Sequence, residues 1–327
     1  MNKKTRIGII GCGWIAEKMA ITLQGMENVQ AYAIASRDIL KARNFAKQWN
    51  FNHAYGSYEE MLDDEGVDLV YIATPHSHHY DHTRLSLLKG KPVLCEKSFT
   101  ANAKQAEALI QLAKEKNLFL TEAIWTRYMP LSQTIRELID SGVIGQPILL
   151  TANLGYPNYD WERMHKPELA GGALLDLGVY TLNFAAMAFG TDIVKTTSTC
   201  IKSATGIDAQ NSITLEYADG KMAVLNSSLL AKSDRQGIIS GDKGFMIVEN
   251  INNPQQVRVY DEDYQLKATY DCPPQITGYE YQVYASIEAL NNGWLESPYM
   301  PHAETLRIMQ QMDALRKEWG IIYPFVL

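Results

Sequence analysis

Ile7-Gly8-Ile9-Ile10-Gly11-Cys12-Gly13-Trp14-Ile15-Ala16 sets the organisation of the chain. An apolar run of strand character meets closely spaced glycines and passes directly into a helical pattern from Glu17 to Gln24. Gly11, Gly13 and Ala16 fit G-x-G-x-x-G/A, and each position has its own reason. Gly11 permits the tight turn out of the strand, and Gly13 lets the backbone approach a pyrophosphate. Ala16 keeps the helix close to the sheet, with its unpaired N–H groups and positive dipole end toward the phosphates. Trp14 and Ile15 open the helix and belong to the same candidate cofactor site. A glycine-rich turn of an unrelated α/β unit can match the same pattern, so the residues downstream of it decide between the two.

The 327 residues are enough for two domains with ample cores, and 46% hydrophobic with 20% charged residues is ordinary for a globular chain. A net charge of −7, with no Lys/Arg-rich run, gives no support for nucleic-acid binding. Cys12, Cys95, Cys200 and Cys272 lie far apart and suggest neither a disulfide framework nor a zinc ribbon. The start Met1-Asn2-Lys3-Lys4-Thr5-Arg6 is basic, but glycines interrupt the apolar run after it, and no later stretch reads as a membrane span. A cytoplasmic location is the expectation.

Val29–Ala35 reads as a second strand ending in Ser36-Arg37-Asp38, about 20 residues past the glycines, where a cofactor's ribose is met. Ser36 and Arg37 suit a 2′-phosphate better than a 2′-hydroxyl, while Asp38 reads as the N-cap of a helix over Ile39–Trp49. NADP is therefore expected over NAD, unless Arg37 is only a surface arginine. A short helix near Tyr58–Leu62 and an apolar strand over Val67–Ala73 come next. The strand runs into Thr74-Pro75-His76-Ser77-His78-His79-Tyr80-Asp81-His82. His78 and His82 share a helical face, but no cysteine or carboxylate pattern completes a metal site, so cleft contacts to the cofactor are expected of Thr74, Pro75, His76 and His79. Another strand, Lys91–Cys95, ends in Glu96-Lys97-Ser98, where Lys97 is either a surface ion-pair partner or a catalytic cation. A helix over 102–117 and a strand over Leu118–Thr121 lead to Glu122-Ala123-Ile124-Trp125-Thr126-Arg127.

The second half reads as a helix near Pro130–Ser141, a strand Gln146–Asn153, an irregular aromatic and charged rim over Tyr156–Glu168, and a helix Ala173–Phe189. Asp176 and Tyr180 then stand four residues apart on one face. Strands are expected at Ser212–Tyr217, Lys221–Ser227, Lys232–Ser240, Gly244–Val248 and Gln256–Tyr260, with helices Tyr279–Gly293 and His302–Trp319 after them. One sheet face should meet the helices, and the other, given by alternation to Ile213, Val224 and Leu225, should need a partner surface. In the last helix Leu306, Met309, Met312 and Leu315 form a core stripe.

Four segments in order carry a resemblance: Gly11–Ala16, Ala73-Thr74-Pro75 with His79, Gly90-Lys91 through Glu96-Lys97, and Gly171–Tyr180. The chain resembles the glucose–fructose oxidoreductase and inositol dehydrogenase family from end to end. Within it the chain is most similar to dimeric dihydrodiol dehydrogenases and NADP-dependent D-xylose 1-dehydrogenases, by Ala35–Asp38, Thr74–His79, Glu122–Arg127 and a tyrosine at position 180. The resemblance implies an N-terminal Rossmann domain, taken as 1–123, and a C-terminal α+β domain with an open, mostly antiparallel sheet, taken as 124–327. It also implies hydride transfer between a nicotinamide and a hydroxyl-bearing carbon of a sugar or diol, and a homodimer or higher oligomer through the open sheet. Tyr180 becomes the general acid/base, and since an unperturbed tyrosine pKa lies near 10, Lys97 is expected to favour its phenolate. Asp176 would orient hydroxyls or Lys97, Trp125 would offer a flat face, Arg127 would anchor oxygens and Tyr279 would approach the substrate. An NAD-preferring inositol or sugar dehydrogenase and a non-catalytic nucleotide sensor are the alternatives. The usual Glu-Lys-Pro is here Glu96-Lys97-Ser98, which leaves a cis or a trans bond open.

Overall fold

The computed structural model describes residues 4–325, so the basic start Met1-Asn2-Lys3 lies outside the described residues. The chain divides into two compact units, residues 1–124 with 275–309, and residues 125–274 with 310–327. In the first unit β1 (Thr5–Ile10), β2 (Val29–Ala35), β3 (His53–Tyr55), β4 (Leu69–Ile72), β5 (Val93–Glu96) and β6 (Leu120–Ala123) form one parallel sheet. Its order, β3-β2-β1-β4-β5-β6, is that of a doubly wound dinucleotide-binding sheet, whose switch point lies between β1 and β4. Helices α1 (Trp14–Gln24), α2 (Ile39–Trp49), α3 (Tyr58–Asp63), α4 (His76–Leu88) and α5 (Ala103–Lys116) alternate with the strands. β4 and β5 are buried along their whole length, which is why they read as unbroken apolar runs.

Helix starts obey local chemistry. The Asp38 carboxylate accepts from the Leu40 and Lys41 N–H groups, and Asn102 and Ser57 cap α5 and α3. Where the sequence reading ran the second domain unbroken from 124 to 327, residues 275–309 cluster with the first unit. The ties are specific: the Thr22 and Thr277 hydroxyls lie 2.6 Å apart, the Leu120 N–H donates 3.0 Å to the Leu295 carbonyl, and His302 Nε2 lies 2.7 Å from the Leu120 carbonyl.

The second unit holds α6 (Pro130–Asp140), β7 (Pro147–Gly155), α7 (Glu162–His165), α8 (Val179–Phe189) and seven further strands. These are β8 (Ile193–Lys202), β9 (Asp208–Tyr217), β10 (Met222–Ser228), β11 (Gly237–Gly241), β12 (Gly244–Glu249), β13 (Gln256–Asp261) and β14 (Leu266–Asp271). They join β7 in the order β14-β13-β12-β11-β7-β10-β9-β8, all antiparallel except β7 with β10. One face is covered: Leu150, Ala152, Ile213, Leu215, Ala223 and Leu225 are all buried. Here the sequence expectation needs correcting. Ile213 and Leu225 are cross-strand partners on the covered face, whereas Val224 pairs with Thr214 on the other, because neighbouring strand residues point to opposite sides.

The expected single helix over 173–189 is also not uniform. Leu174–Gly178 form a wide π turn, closed by the Val179 N–H on the Leu174 carbonyl, before α8 begins. The α-helical spacing assumed between Asp176 and Tyr180 therefore does not run through Asp176. By length and composition alone, residues 167–189 hold a segment apolar enough to cross a membrane, against the expectation that none exists; 83% of its 18-residue window is buried inside the protein, as a core segment is. In α9 (Glu280–Asn292) the Glu280 carboxylate accepts from the Ile276, Thr277 and Gly278 N–H groups. In α10 (His302–Trp319) Ile308, Met309, Met312 and Leu315 are buried, and Leu306 only half so.

Candidate active site

In the first unit the glycine turn sits at the sheet's switch point. Gly11 has φ +105°, and a Cβ there would lie 2.8 Å from the Ala73 carbonyl oxygen at the end of β4. At Gly13 a Cβ would meet nothing within 4 Å. The two glycines therefore differ in kind. Gly11 is required by the fold, and Gly13 leaves open space before the bare N–H groups of α1, as the backbone of a dinucleotide's diphosphate requires. Trp14 is 52% exposed at the helix start, Ile15 is half-buried, and Ala16 is fully buried against the sheet. At the tip of β2, Arg37 is exposed, Ser36 is half-buried, and the Asp38 carboxylate is engaged as a helix cap.

Beyond β4, Thr74 and Pro75 are half-buried and Pro75 is the N-cap of α4, whose first residue, His76, is buried. Both ring nitrogens of the buried His79 face carbonyl oxygens at 2.8 Å, Nδ1 that of Ser98 and Nε2 that of Thr74. His79 thus ties the end of β4 to the loop after β5. Burial pushes its pKa down to about 4, against the pull of the carbonyls. His82 lies 3.0 Å from the Thr74 hydroxyl, and burial, then the neighbouring His78, lowers its pKa to about 4. Among the described residues no group of three or more His, Cys, Asp or Glu side chains could hold a metal ion.

Glu96 is buried; it accepts from the Tyr71 hydroxyl and, at 3.2 Å, from the Lys97 N–H. Lys97 is half-buried and the Lys97–Ser98 peptide is cis. Tyr279 is buried at the start of α9.

In the second unit the short turn Trp125–Tyr128 packs near α8. The Trp125 indole N–H donates to the Tyr180 hydroxyl at 2.8 Å, with both residues buried. Arg127 donates from Nε to Asn183 Oδ1 at 2.5 Å, tying the turn to the next stretch of α8. The Asp176 carboxylate, 6% exposed, accepts from Arg163 at 2.8 Å. Arg163 is a residue that the sequence reading did not single out. Its only signal was a place in the charged rim 156–168, which marks a surface and not a partner.

A glycine turn at a doubly wound switch point, in a chain that also carries a buried polar cluster on an α+β unit, is the arrangement of a dinucleotide-binding protein. Residues 5–123 match the oxidoreductase family with an NAD-binding Rossmann fold, and residues 132–247 match the GFO/IDH/MocA C-terminal domain. The chain belongs to this GFO/IDH/MocA family. It is 35% identical to a trans-1,2-dihydrobenzene-1,2-diol dehydrogenase of Xenopus laevis, covering 98% of this chain and 99% of that protein. It is 34% identical to a D-xylose 1-dehydrogenase (NADP(+)) of Hypocrea jecorina, covering 97% and 92%. Among solved structures, a 3-ketoreductase from Actinomadura kijaniata in complex with TDP-benzene and NADP superposes with a TM-score of 0.85. The two are 25% identical, over 96% of this chain and 97% of that one.

Proposed function

We propose that this oxidoreductase is an NADP-preferring dehydrogenase acting on a carbinol carbon of a sugar or cyclic diol. Tyr180 is the proton acceptor, and Lys97 is the cation that favours its phenolate. The observation that carries the proposal is the buried Tyr180 hydroxyl receiving the Trp125 indole N–H at 2.8 Å. That hydrogen bond fixes the phenol oxygen in place, the atom that a general acid/base must present to a substrate hydroxyl. Asp176, pinned by Arg163, stays an acceptor for a substrate hydroxyl. When bound, the nicotinamide supplies the hydride acceptor. The chain's part is to hold the carbinol and to take the hydroxyl proton onto Tyr180 Oη as the C–H bond breaks; in reduction Tyr180 returns it.

Gly11, Gly13, Trp14, Ile15, Ser36, Arg37, Thr74, Pro75, His76, His79, Glu96 and Lys97 form the proposed cofactor set. Trp125, Arg127, Asp176, Tyr180 and Tyr279 form the proposed substrate set. The NADP preference is supported by Asp38, whose carboxylate caps α2, leaving Arg37 as the charged group at the strand tip. The substrate class is supported by the activities named for the diol and xylose dehydrogenases. We further propose a homodimer through the uncovered sheet face, which light scattering tests. The enzymatic test is reduced-nicotinamide absorbance with NADP and then NAD, across D-xylose, D-glucose, myo-inositol and a trans-dihydrodiol. Turnover with NADP and xylose or the dihydrodiol is expected. Preference for NAD with inositol would overturn both finer assignments, and tight NADP binding with no turnover would favour a sensor.

A further inference from the structure

We propose that Asp208 is a positioning residue for catalysis: its buried carboxylate caps the entry to the catalytic helix and fixes the wide turn that presents Asp176 ahead of Tyr180. This rests on the roles proposed above for those two residues.

Asp208 is fully buried at the start of β9. Its Oδ2 accepts from the Leu174 N–H at 2.6 Å and from Asn211 Nδ2 at 2.8 Å. Oδ1 has no hydrogen-bond partner among the described residues. The contact exists only because residue 172 is glycine. Gly172 has φ +125°, and a Cβ there would stand 2.4 Å from Asp208 Oδ1. The first turn is closed by the Asp176 N–H on the Gly172 carbonyl at 3.2 Å, so the capped segment leads straight into Asp176.

The ladder continues along the covered sheet face. Asn211 Oδ1 accepts from the Ser227 hydroxyl at 3.1 Å, and that hydroxyl lies 3.3 Å from where a Cβ on Gly178 would stand. Gly178 ends the π turn. Asp208, Asn211 and Ser227 therefore underlie the turn from entry to exit. On the other side, the Tyr323 hydroxyl donates to the Gly171 carbonyl at 2.8 Å, and the Arg316 guanidinium sits 4.7 Å from the Tyr323 ring centroid.

A helix N-terminus can be capped by serine, threonine or asparagine at much lower desolvation cost than a buried carboxylate with one oxygen unpartnered. Here a single carboxylate oxygen accepts from two N–H groups at once, the Leu174 amide and Asn211 Nδ2. Groups that face Asp208 are Arg316 and Tyr323 from the C-terminal segment and Cys200 from β8. Burial pushes the Asp208 pKa up to about 7, against the pull of Asn211, the Leu174 N–H and Arg316. The cap therefore changes charge near neutrality. Because the folded pKa is raised, the folded state binds more protons between about pH 4 and 7, and this group's contribution to stability falls as pH rises through that window.

Two variants of the full chain separate the parts: Asp208→Ala removes the acceptor, and Asp208→Asn keeps an acceptor oxygen but removes the charge. Hydrogen exchange of the amides in 173–177, thermal midpoint against pH, Kd for NADP by fluorescence, and kcat with KM are measured for each. Asp208→Ala is expected to raise exchange in that segment at least tenfold and to lower kcat at least tenfold, with Kd for NADP within twofold. Asp208→Asn should restore protection and most of kcat, while flattening the pH dependence of the midpoint between 4 and 7. A folded Asp208→Ala protein with wild-type exchange and kcat overturns the proposal. If Asp208→Ala does not fold, Asn211→Ala, which removes the side chain linking Asp208 to Ser227, decides: raised exchange over 173–177 with kcat lowered several-fold sustains the proposal, and wild-type kcat overturns it. The Tyr180→Phe variant separates the two levels. Normal turnover in it refutes the catalytic reading itself, whereas an inactive Tyr180→Phe beside a fully active Asp208→Ala refutes only the positioning role.

Discussion

Alanine at Gly11 and at Gly13 should have opposite consequences, although the two glycines are two residues apart in one motif. At Gly11 the φ of +105° and a Cβ only 2.8 Å from the Ala73 oxygen and 3.1 Å from its carbon leave no accommodation, because the clash is with backbone. Forcing a side chain into the left-handed half of the map costs about 1–2 kcal/mol, and moving the end of a buried strand adds a similar amount. A loss of about 3 kcal/mol should lower the thermal midpoint by about 6–12 °C. At Gly13 the backbone is extended, with φ −96°, and a Cβ touches nothing. The gain from a stiffer unfolded chain, about 0.4–1 kcal/mol, offsets the loss of a glycine N-cap, so the midpoint should stay within about 2 °C.

Nucleotide binding should show the reverse sensitivity for Gly13→Ala. Its methyl group enters the space that a diphosphate must approach, and losing about one charge-assisted hydrogen bond, about 2 kcal/mol, raises Kd about 30-fold. Trp14, 52% exposed at the head of α1, provides the fluorescence signal for the titration, with calorimetric unfolding run in parallel. A Gly13→Ala protein that binds NADP as the wild type does would show that the diphosphate does not pass over Gly13. A Gly11→Ala protein of unchanged midpoint would refute the steric argument itself.

The same structure sets three other outcomes. Arg37→Ala should weaken NADP about 10- to 100-fold by loss of a charge-assisted contact and leave NAD within threefold; equal losses measured by titration would remove the 2′-phosphate role. Tyr180→Phe should lower kcat about 10²- to 10⁴-fold with Kd for NADP unchanged, and near-normal turnover would take Tyr180 out of the chemistry. His82, held neutral chiefly by burial with its pKa near 4, contributes stability that is full above its ordinary value of 6.5 and is lost as pH falls through that window. His82→Gln should flatten the acid limb of the midpoint curve by about 3 kcal/mol at pH 4, and an unchanged limb would mean that the imidazole is already charged in the fold.

The residues that sequence made legible share one property: their reason for being there is local. The Gly11–Ala16 turn, the Asp38 cap and the apolar strand after Val67 are each fixed by neighbours within a few positions, and each stands where the spacing put it. The strands that were missed are all edges. β3 and β14 border one side of their sheets and β8 the other side of the second. An edge strand buries little, so β8 and β14 carry exposed residues in place of an alternating pattern. The start of β9 was missed for the opposite reason. Asp208 and Asn211 are buried there, so polarity does not mark the solvent face, and the regular alternation of apolar and polar residues begins only at Ile213. That failure has the same origin as the site. Where a fold sets carboxylate, amide and hydroxyl groups against the covered face of a sheet to hold one turn of helix, it breaks the period by which strands are recognised. Each such break therefore marks a position whose side chain is explained by a partner far along the chain, as Asp208 is by Leu174 and Ser227 by Asn211.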